Sequence, residues 1–220
     1  MTTAPEPDAP DLWHFERVAW AEGYGRVAGV DEAGRGPLAG PVVAAAVVLP
    51  PDFDAVGIND SKKLSASVRE RAFERLLTEG AHIGVAAVDA PEIDKLNILQ
   101  ATHEAMRRAL AALPIGPDLV LVDGLPVPGL HEHCRALVKG DSRSVSIAAA
   151  SIVAKVTRDR LMCGAYHEQY PVYDFARHKG YGTRDHLVAL ATHGPSPLHR
   201  FSFGPVAQAV LRFDPEENRG

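Results

Sequence analysis

The sequence holds only two cysteines, Cys134 and Cys163. They are too few for a disulfide framework, so a reducing cytoplasm is the expected setting. No apolar run approaches the roughly 20 residues that span a bilayer, which excludes a membrane role by this reading. The chain also lacks an excess of positive charge: its net charge is −5, which argues against a generic nucleic-acid coat. Neither a G-x-S-x-G elbow nor the Gly-Lys-Ser/Thr of a P-loop is present, and this weighs against an esterase or a nucleotide triphosphatase. The first residues, Met1–Asp11, are rich in proline and acid without the basic and apolar regions of a secretory signal, and are predicted to be a disordered tail.

The negative total conceals an asymmetry. Residues 1–134 carry 11 Lys+Arg against 20 Asp+Glu, whereas residues 135–184 carry 9 against 4. A basic block of this kind is either a solvated face or a surface for phosphates. At 220 residues, 46% of them hydrophobic and 23% charged, the chain has the size and composition of one well-cored domain with room for a small appendage.

The chain is organised around Val30-Asp31-Glu32-Ala33-Gly34-Arg35-Gly36-Pro37. It lies between a short apolar strand, Arg26–Val30, and the apolar, valine-rich run Val42–Leu49. Eleven residues without helical pattern separate the two, which predicts a hairpin and hence a mixed sheet. Downstream, Ser65 reads as the cap of a helix to Thr78, and Ala81–Asp89 as a strand. Pro91 opens a helix whose stripe is Leu96, Leu99, His103, Met106, Leu110 and Leu113. Leu119–Val122 and Arg135–Val138 read as strands, and a long apolar helix begins near Ser144. After Tyr170 only helices are expected, one bracketed by Thr183 and His193-Gly194 and a last one opened by Pro205. Strands alternating with helices predict an α/β fold.

Three strand-like segments end in acids: Asp31-Glu32, Asp123 and, through Lys139-Gly140, Asp141. Spacing alone leaves two readings open. Such acids are ordinary turn residues; or the sheet gathers up to four carboxylates, which require a cation to stay ionised together. Hard oxygen donors select Mg²⁺ or Mn²⁺, and two such ions suit an in-line phosphoryl displacement. Gly34-Arg35-Gly36 lets backbone approach a ligand, while Ser61, Lys62 and Lys63 in a long loop suit phosphates. The turn also matches the G-x-G-x-x-A dinucleotide pattern, but Gly40-Pro41 and a valine run stand where that motif requires a helix, which disfavours an oxidoreductase. His131-Glu132-His133-Cys134 resembles a zinc fragment without a partner pair.

Several stretches in a fixed order give the chain a resemblance to the bacterial ribonuclease HII family. They are Gly29–Pro37, Asn59–Leu64, Asp94–Leu99, Val122–Gly124, Lys139–Ser142, Ala149–Asp159 and His178–Tyr181. The resemblance implies a ribonuclease H-like fold with a mixed central sheet flanked by helices. In its terms residues 1–25 are a partly disordered N-terminal extension, 26–170 the catalytic domain and 171–220 a C-terminal helical substrate-binding segment. It implies endonucleolytic cleavage of the RNA strand of RNA–DNA hybrids, and cleavage on the 5′ side of single ribonucleotides in duplex DNA, leaving 5′-phosphate and 3′-hydroxyl ends. Asp31, Glu32, Asp123 and Asp141 would hold two Mn²⁺ or Mg²⁺ ions, and a metal-activated water would attack. Gly34, Arg35, Gly36 and Tyr181 would read the 2′-hydroxyl, with Ser61 and Lys62 on the substrate. A monomer is the default expectation. A catalytically silent hybrid binder is disfavoured by the full set of acids, because a binder gains nothing from negative charge beside phosphates. Asp159 reads as a local ion-pair partner of Arg158 and Arg160, and Asp174 departs from the glycine that the family commonly has there.

Overall fold

The computed structural model of the chain describes residues 11–213. The tail expected at Met1–Asp11 therefore falls, but for Asp11, outside the described residues. The lead-in helix α1 (His14–Ala21) precedes the antiparallel hairpin of β1 (Val27–Ala33) and β2 (Val42–Val48), in which Val30 pairs with Ala46. Then follow α2 (Ala66–Thr78), β3 (His82–Val88), α3 (Ala90–Leu96) and α4 (Ile98–Ala111). β4 (Leu119–Asp123), β5 (Cys134–Leu137) and the 19-residue α5 (Val145–Cys163) complete the α/β part.

Among the described residues the five strands run in the order β3-β2-β1-β4-β5, with β2 antiparallel to both its neighbours and β4 parallel to both β1 and β5. The sheet is thus mixed, as the hairpin spacing predicts. Both faces are covered, which explains why β2 is apolar throughout rather than alternating. Val42, Ala44, Ala46 and Val48 pack with Ala101, Ala105, Met106 and Ala109 of α4 on one side. Ala45 and Val47 pack with Ala148, Ala149 and Ile152 of α5, and Phe73 and Leu76 of α2, on the other.

Local capping follows the sequence closely. Ser65, Ser144 and Thr183 each accept a backbone N–H three residues on, from Val68, Ile147 and His186, as expected of N-caps. The predicted helix after Pro91 needs correction. It breaks at Asn97, whose φ of 67° ends α3 while its side chain accepts from Leu99 and Gln100 N–H and starts α4. The break resets the helical phase, so the buried face is Ile93, Ala101, Ala105, Met106 and Ala109, and Leu99 is 46% exposed.

Beyond Tyr170 the described chain contains helices and turns: α6 (Ala165–Gln169) leads into α7 (Phe175–His178), α8 (Arg184–His193) and α9 (Gly204–Phe213). One isolated bridge, Ala39 to His199, ties this part to the loop after β1. Asp174 sits at φ 54°, a left-handed conformation that glycine adopts without strain. An aspartate at this turn therefore carries a backbone cost that a glycine would not.

Candidate active site

Three of the four predicted acids meet at the C-terminal edge of the parallel strands. One carboxylate oxygen each from Asp31, Asp123 and Asp141 lie within 4.8 Å of one another. Asp31 comes from β1, Asp123 from the end of β4, and Asp141 from a 3-10 turn after β5, Gly140–Ser142. The turn is keyed to the strand, because Gly140 N–H donates to Asp123 Oδ1 at 2.6 Å. Glu32 is not in this group. Its Oε1 pairs with Arg35 Nη1 at 3.3 Å, at the side of the trio.

The electrostatics of the trio are unfavourable without a cation. Burial pushes the Asp31 carboxyl well above its ordinary range, and Glu32 and Asp123 push it the same way. Burial likewise raises Asp141, followed by Asp123 and Asp60, while Lys62 opposes them. Lys62 Nζ lies 3.5 Å from Asp141 Oδ2. Among the described residues no Lys, Arg or His nitrogen pairs with Asp31 or Asp123. A largely buried, all-oxygen donor set whose three negative charges are met, among the described residues, by one lysine on Asp141 matches what a hard divalent ion requires; the residues fit such an ion.

Beside the acids runs a groove of about 270 Å³, lined by Glu32, the Gly34-Arg35-Gly36 turn, Ser61, Lys62, Ser151, Lys155 and Tyr181. All six sequence-derived substrate residues are thus in one place. Gly34 has a φ of 96°, and a Cβ there would lie 2.1 Å from Arg158 Nε. Across the slot, a Cβ on Gly36 would lie 4.0 Å from the Tyr181 ring. Lys155 Nζ and the Arg158 guanidinium both stand 5.9 Å from that ring's centre.

A hydrogen-bonded chain supports Tyr181 from beneath. Ser196 N–H donates to His199 Nδ1 at 3.0 Å, His199 Nε2 meets His186 Nε2 at 3.0 Å, and His186 Nδ1 meets the Tyr181 carbonyl at 2.9 Å. An amide only donates and a carbonyl only accepts, so both rings are neutral, with protons on His199 Nε2 and His186 Nδ1. Burial pushes both histidines down to about 4.

Sequence reasoning missed several residues. Ser151 bonds Ser61, Oγ to Oγ, at 2.7 Å, and Lys155 faces the groove; both lie in the quoted Ala149–Asp159 stretch, one helical turn apart, which was the available signal. Arg158 and Arg200 are fully buried among carbonyls; Arg158 lies in that same stretch, whereas Arg200 carried no signal. Asp159 makes the expected local ion pair, but with Lys155 at 2.7 Å and with Arg69 at 4.0 Å, because Arg158 is turned to carbonyls and Arg160 to Glu70 and Glu74. His131 folds back on His133, its Nδ1 3.1 Å from the His133 amide nitrogen.

Comparison with known proteins agrees with this geometry. A family model described as Ribonuclease HII matches residues 28–206. A Ribonuclease HII of Listeria monocytogenes serotype 4b (strain F2365) is 53% identical over 204 residues, 93% of this chain and 77% of the relative. Among solved structures, the ribonuclease H2 from Pyrococcus horikoshii OT3 aligns with a TM-score of 0.73 and 29% identity, covering 86% of this chain and 98% of that one. The ribonuclease HII in a complex with PCNA from Archaeoglobus fulgidus aligns with a TM-score of 0.70 and 26% identity, over 81% and 95% of the two chains.

Proposed function

The chain belongs to the ribonuclease HII family, and from that premise we propose that it is a metal-dependent endonuclease acting on the RNA of RNA–DNA hybrids and on single ribonucleotides in duplex DNA. The observation that carries this reading is the convergence of Asp31, Asp123 and Asp141 within 4.8 Å, next to a groove that ends on a glycine turn and a tyrosine.

Two divalent ions, Mg²⁺ or Mn²⁺, would be held by Asp31, Asp123 and Asp141 with Glu32 at the margin, and when bound they supply charge neutralisation at the attacking and leaving oxygens. The protein's residues do the rest. Burial and mutual repulsion hold Asp31 and Asp141 above their ordinary pKa, so a bound cation would favour their ionised forms and displace any proton they carry. The amides of the Gly34-Arg35-Gly36 turn and the Tyr181 ring take the ribose, whose 2′-hydroxyl is both donor and acceptor and distinguishes RNA from DNA. Lys62, with Ser61 behind it, faces the phosphate. Water adds to phosphorus, the bond to the 3′-oxygen breaks, and a 5′-phosphate and a 3′-hydroxyl result. Residues 26–170 act in this reading as the catalytic domain and 171–220 as the substrate-binding segment.

Among the described residues no helix is long and apolar enough to cross a membrane; duplex nucleic acid is the partner this surface fits. A monomer in the cytoplasm is the corresponding working state. The test is cleavage of a labelled DNA duplex holding one ribonucleotide, beside an all-DNA duplex, in Mg²⁺, Mn²⁺ and chelator. The expected result is a single metal-dependent cut 5′ of the ribonucleotide; folded protein that cuts neither this duplex nor a long hybrid in either metal would overturn the reading.

A further inference from the structure

The loop that leaves β1 is held from below by two arginines that, among the described residues, pair with no carboxylate. Arg158 and Arg200 are each 0% exposed. Arg158 donates to the carbonyls of Pro41, Ala39 and Lys179 at 2.9, 3.1 and 3.1 Å. Arg200 donates to Gly34 O at 2.5 Å, to Arg35 O at 2.8 Å, and twice to Gly40 O at 3.0 and 2.9 Å. Burying a guanidinium without a paired anion is costly, and Arg200 is compensated chiefly by carbonyl oxygens, with the Phe203 ring 5.1 Å from its guanidinium carbon and the charge of Asp94 acting from a distance. A side chain kept on such terms is informative about the backbone it grips.

Peptide geometry makes the consequence specific. The described peptide bonds are all trans, so within each unit the N–H points opposite to the C=O. Arg200 draws the carbonyls of Gly34 and Arg35 inward. It thereby turns the amides of Arg35 and Gly36 outward, on a stretch where both residues are exposed and line the groove. Among the described residues neither amide donates to a protein acceptor, so both are left free for a ligand. We infer that Arg200 is a positioning residue that fixes two backbone donors of the glycine turn for the ribonucleotide, and so helps set the preference for ribose over deoxyribose. The inference rests on the proposed function, since it needs that turn to face the 2′-hydroxyl.

The segment carrying Arg200 is itself anchored. Asp94, in α3, accepts from Phe201 N–H, Ser202 N–H and Ser202 Oγ at 2.8, 2.9 and 2.5 Å. The α/β part thereby holds the residues just after Arg200, and Arg200 in turn holds the turn. Lysine at 200 keeps the charge but cannot bridge three carbonyls with a planar fork.

The test measures kcat/KM on the one-ribonucleotide duplex and, separately, Ki of an all-DNA duplex as competitor, for wild type, Arg200→Lys and Asp94→Asn. Arg200→Lys is expected to lower kcat/KM by about tenfold or more, the scale of one or two lost hydrogen bonds, while the all-DNA Ki, set by phosphate contacts, stays within about twofold. Asp94→Asn is expected to move the same ratio by a few-fold; it stands in should Arg200→Lys not fold. An unchanged kcat/KM in the folded variants, or a fall matched by an equal rise in Ki, would overturn the inference. Wild-type protein that does not cleave the ribonucleotide duplex would instead refute the parent reading and take the inference with it.

Discussion

Replacing Asp31 by asparagine should abolish cleavage and at the same time stabilise the metal-free protein. Asp31 is 3% exposed, and its carboxylate lies within 4.8 Å of those of Asp123 and Asp141. At that separation two unit charges repel by about 3.5 kcal/mol at an effective dielectric near 20. Proton uptake relieves part of this, which leaves about 1–2 kcal/mol for Asn to recover, or about 2–8 °C in Tm for a chain of this size. Asn keeps the Oδ1 acceptor for Glu32 N–H, 2.7 Å away in the wild type, so little is lost locally. The sign follows from linkage. A folded-state pKa raised above the ordinary 3.8 gives stability at low pH that disappears as pH rises through the folded value. The gain from Asp31→Asn should therefore be largest at neutral pH in chelator and shrink towards pH 4. Added Mg²⁺ should raise the wild-type Tm more than that of the variant. Thermal unfolding at both pH values, with and without Mg²⁺, reads all of this. A variant less stable than wild type in chelator at neutral pH would refute the reasoning.

Two further outcomes follow from groups outside the acid trio. The neutral His186–His199 pair, ordinarily 6.5 and here about 4, is protonated in the unfolded chain before the folded one, so stability should fall as pH drops from 6.5 to 4 by about 3 kcal/mol per histidine. Denaturant unfolding across that window checks it, and a flat profile would contradict the tautomer chain. Lys62→Ala removes one cation facing the phosphates; duplex affinity should fall a few-fold regardless of sequence, and the slope of log K against log salt should become shallower by about one. An unchanged slope would place Lys62 off the substrate.

Much of the fold was legible because its signals are local. The hairpin shows in eleven patternless residues between two apolar runs, and Ser65, Ser144 and Thr183 announce their helices by cap chemistry. The stripe after Pro91 misled because one side chain, Asn97, both ends a helix and starts another, and periodicity carries no mark of a phase reset. The acids were legible as strand-end residues, but their approach depends on strand order, which spacing does not encode. Family resemblance supplied that. Glu32, the second acid at the end of β1, lines the groove beside the trio and pairs with Arg35, a partner that strand position does not announce. The buried roles of Arg158 and Arg200 were not legible for a different reason: arginine is ordinarily a surface residue, and only the packed loop shows that these two are buried against carbonyls.

The central claim is that Asp31, Asp123 and Asp141 together hold the ions that make cleavage possible. Single-turnover cleavage of the one-ribonucleotide duplex by wild type and the three single Asp→Asn variants tests it most directly. The account predicts a loss of at least about 10²-fold for each variant, the scale of removing one preorganised charge-stabilising group, with circular dichroism unchanged. Asp123→Asn cleaving at the wild-type rate would contradict it.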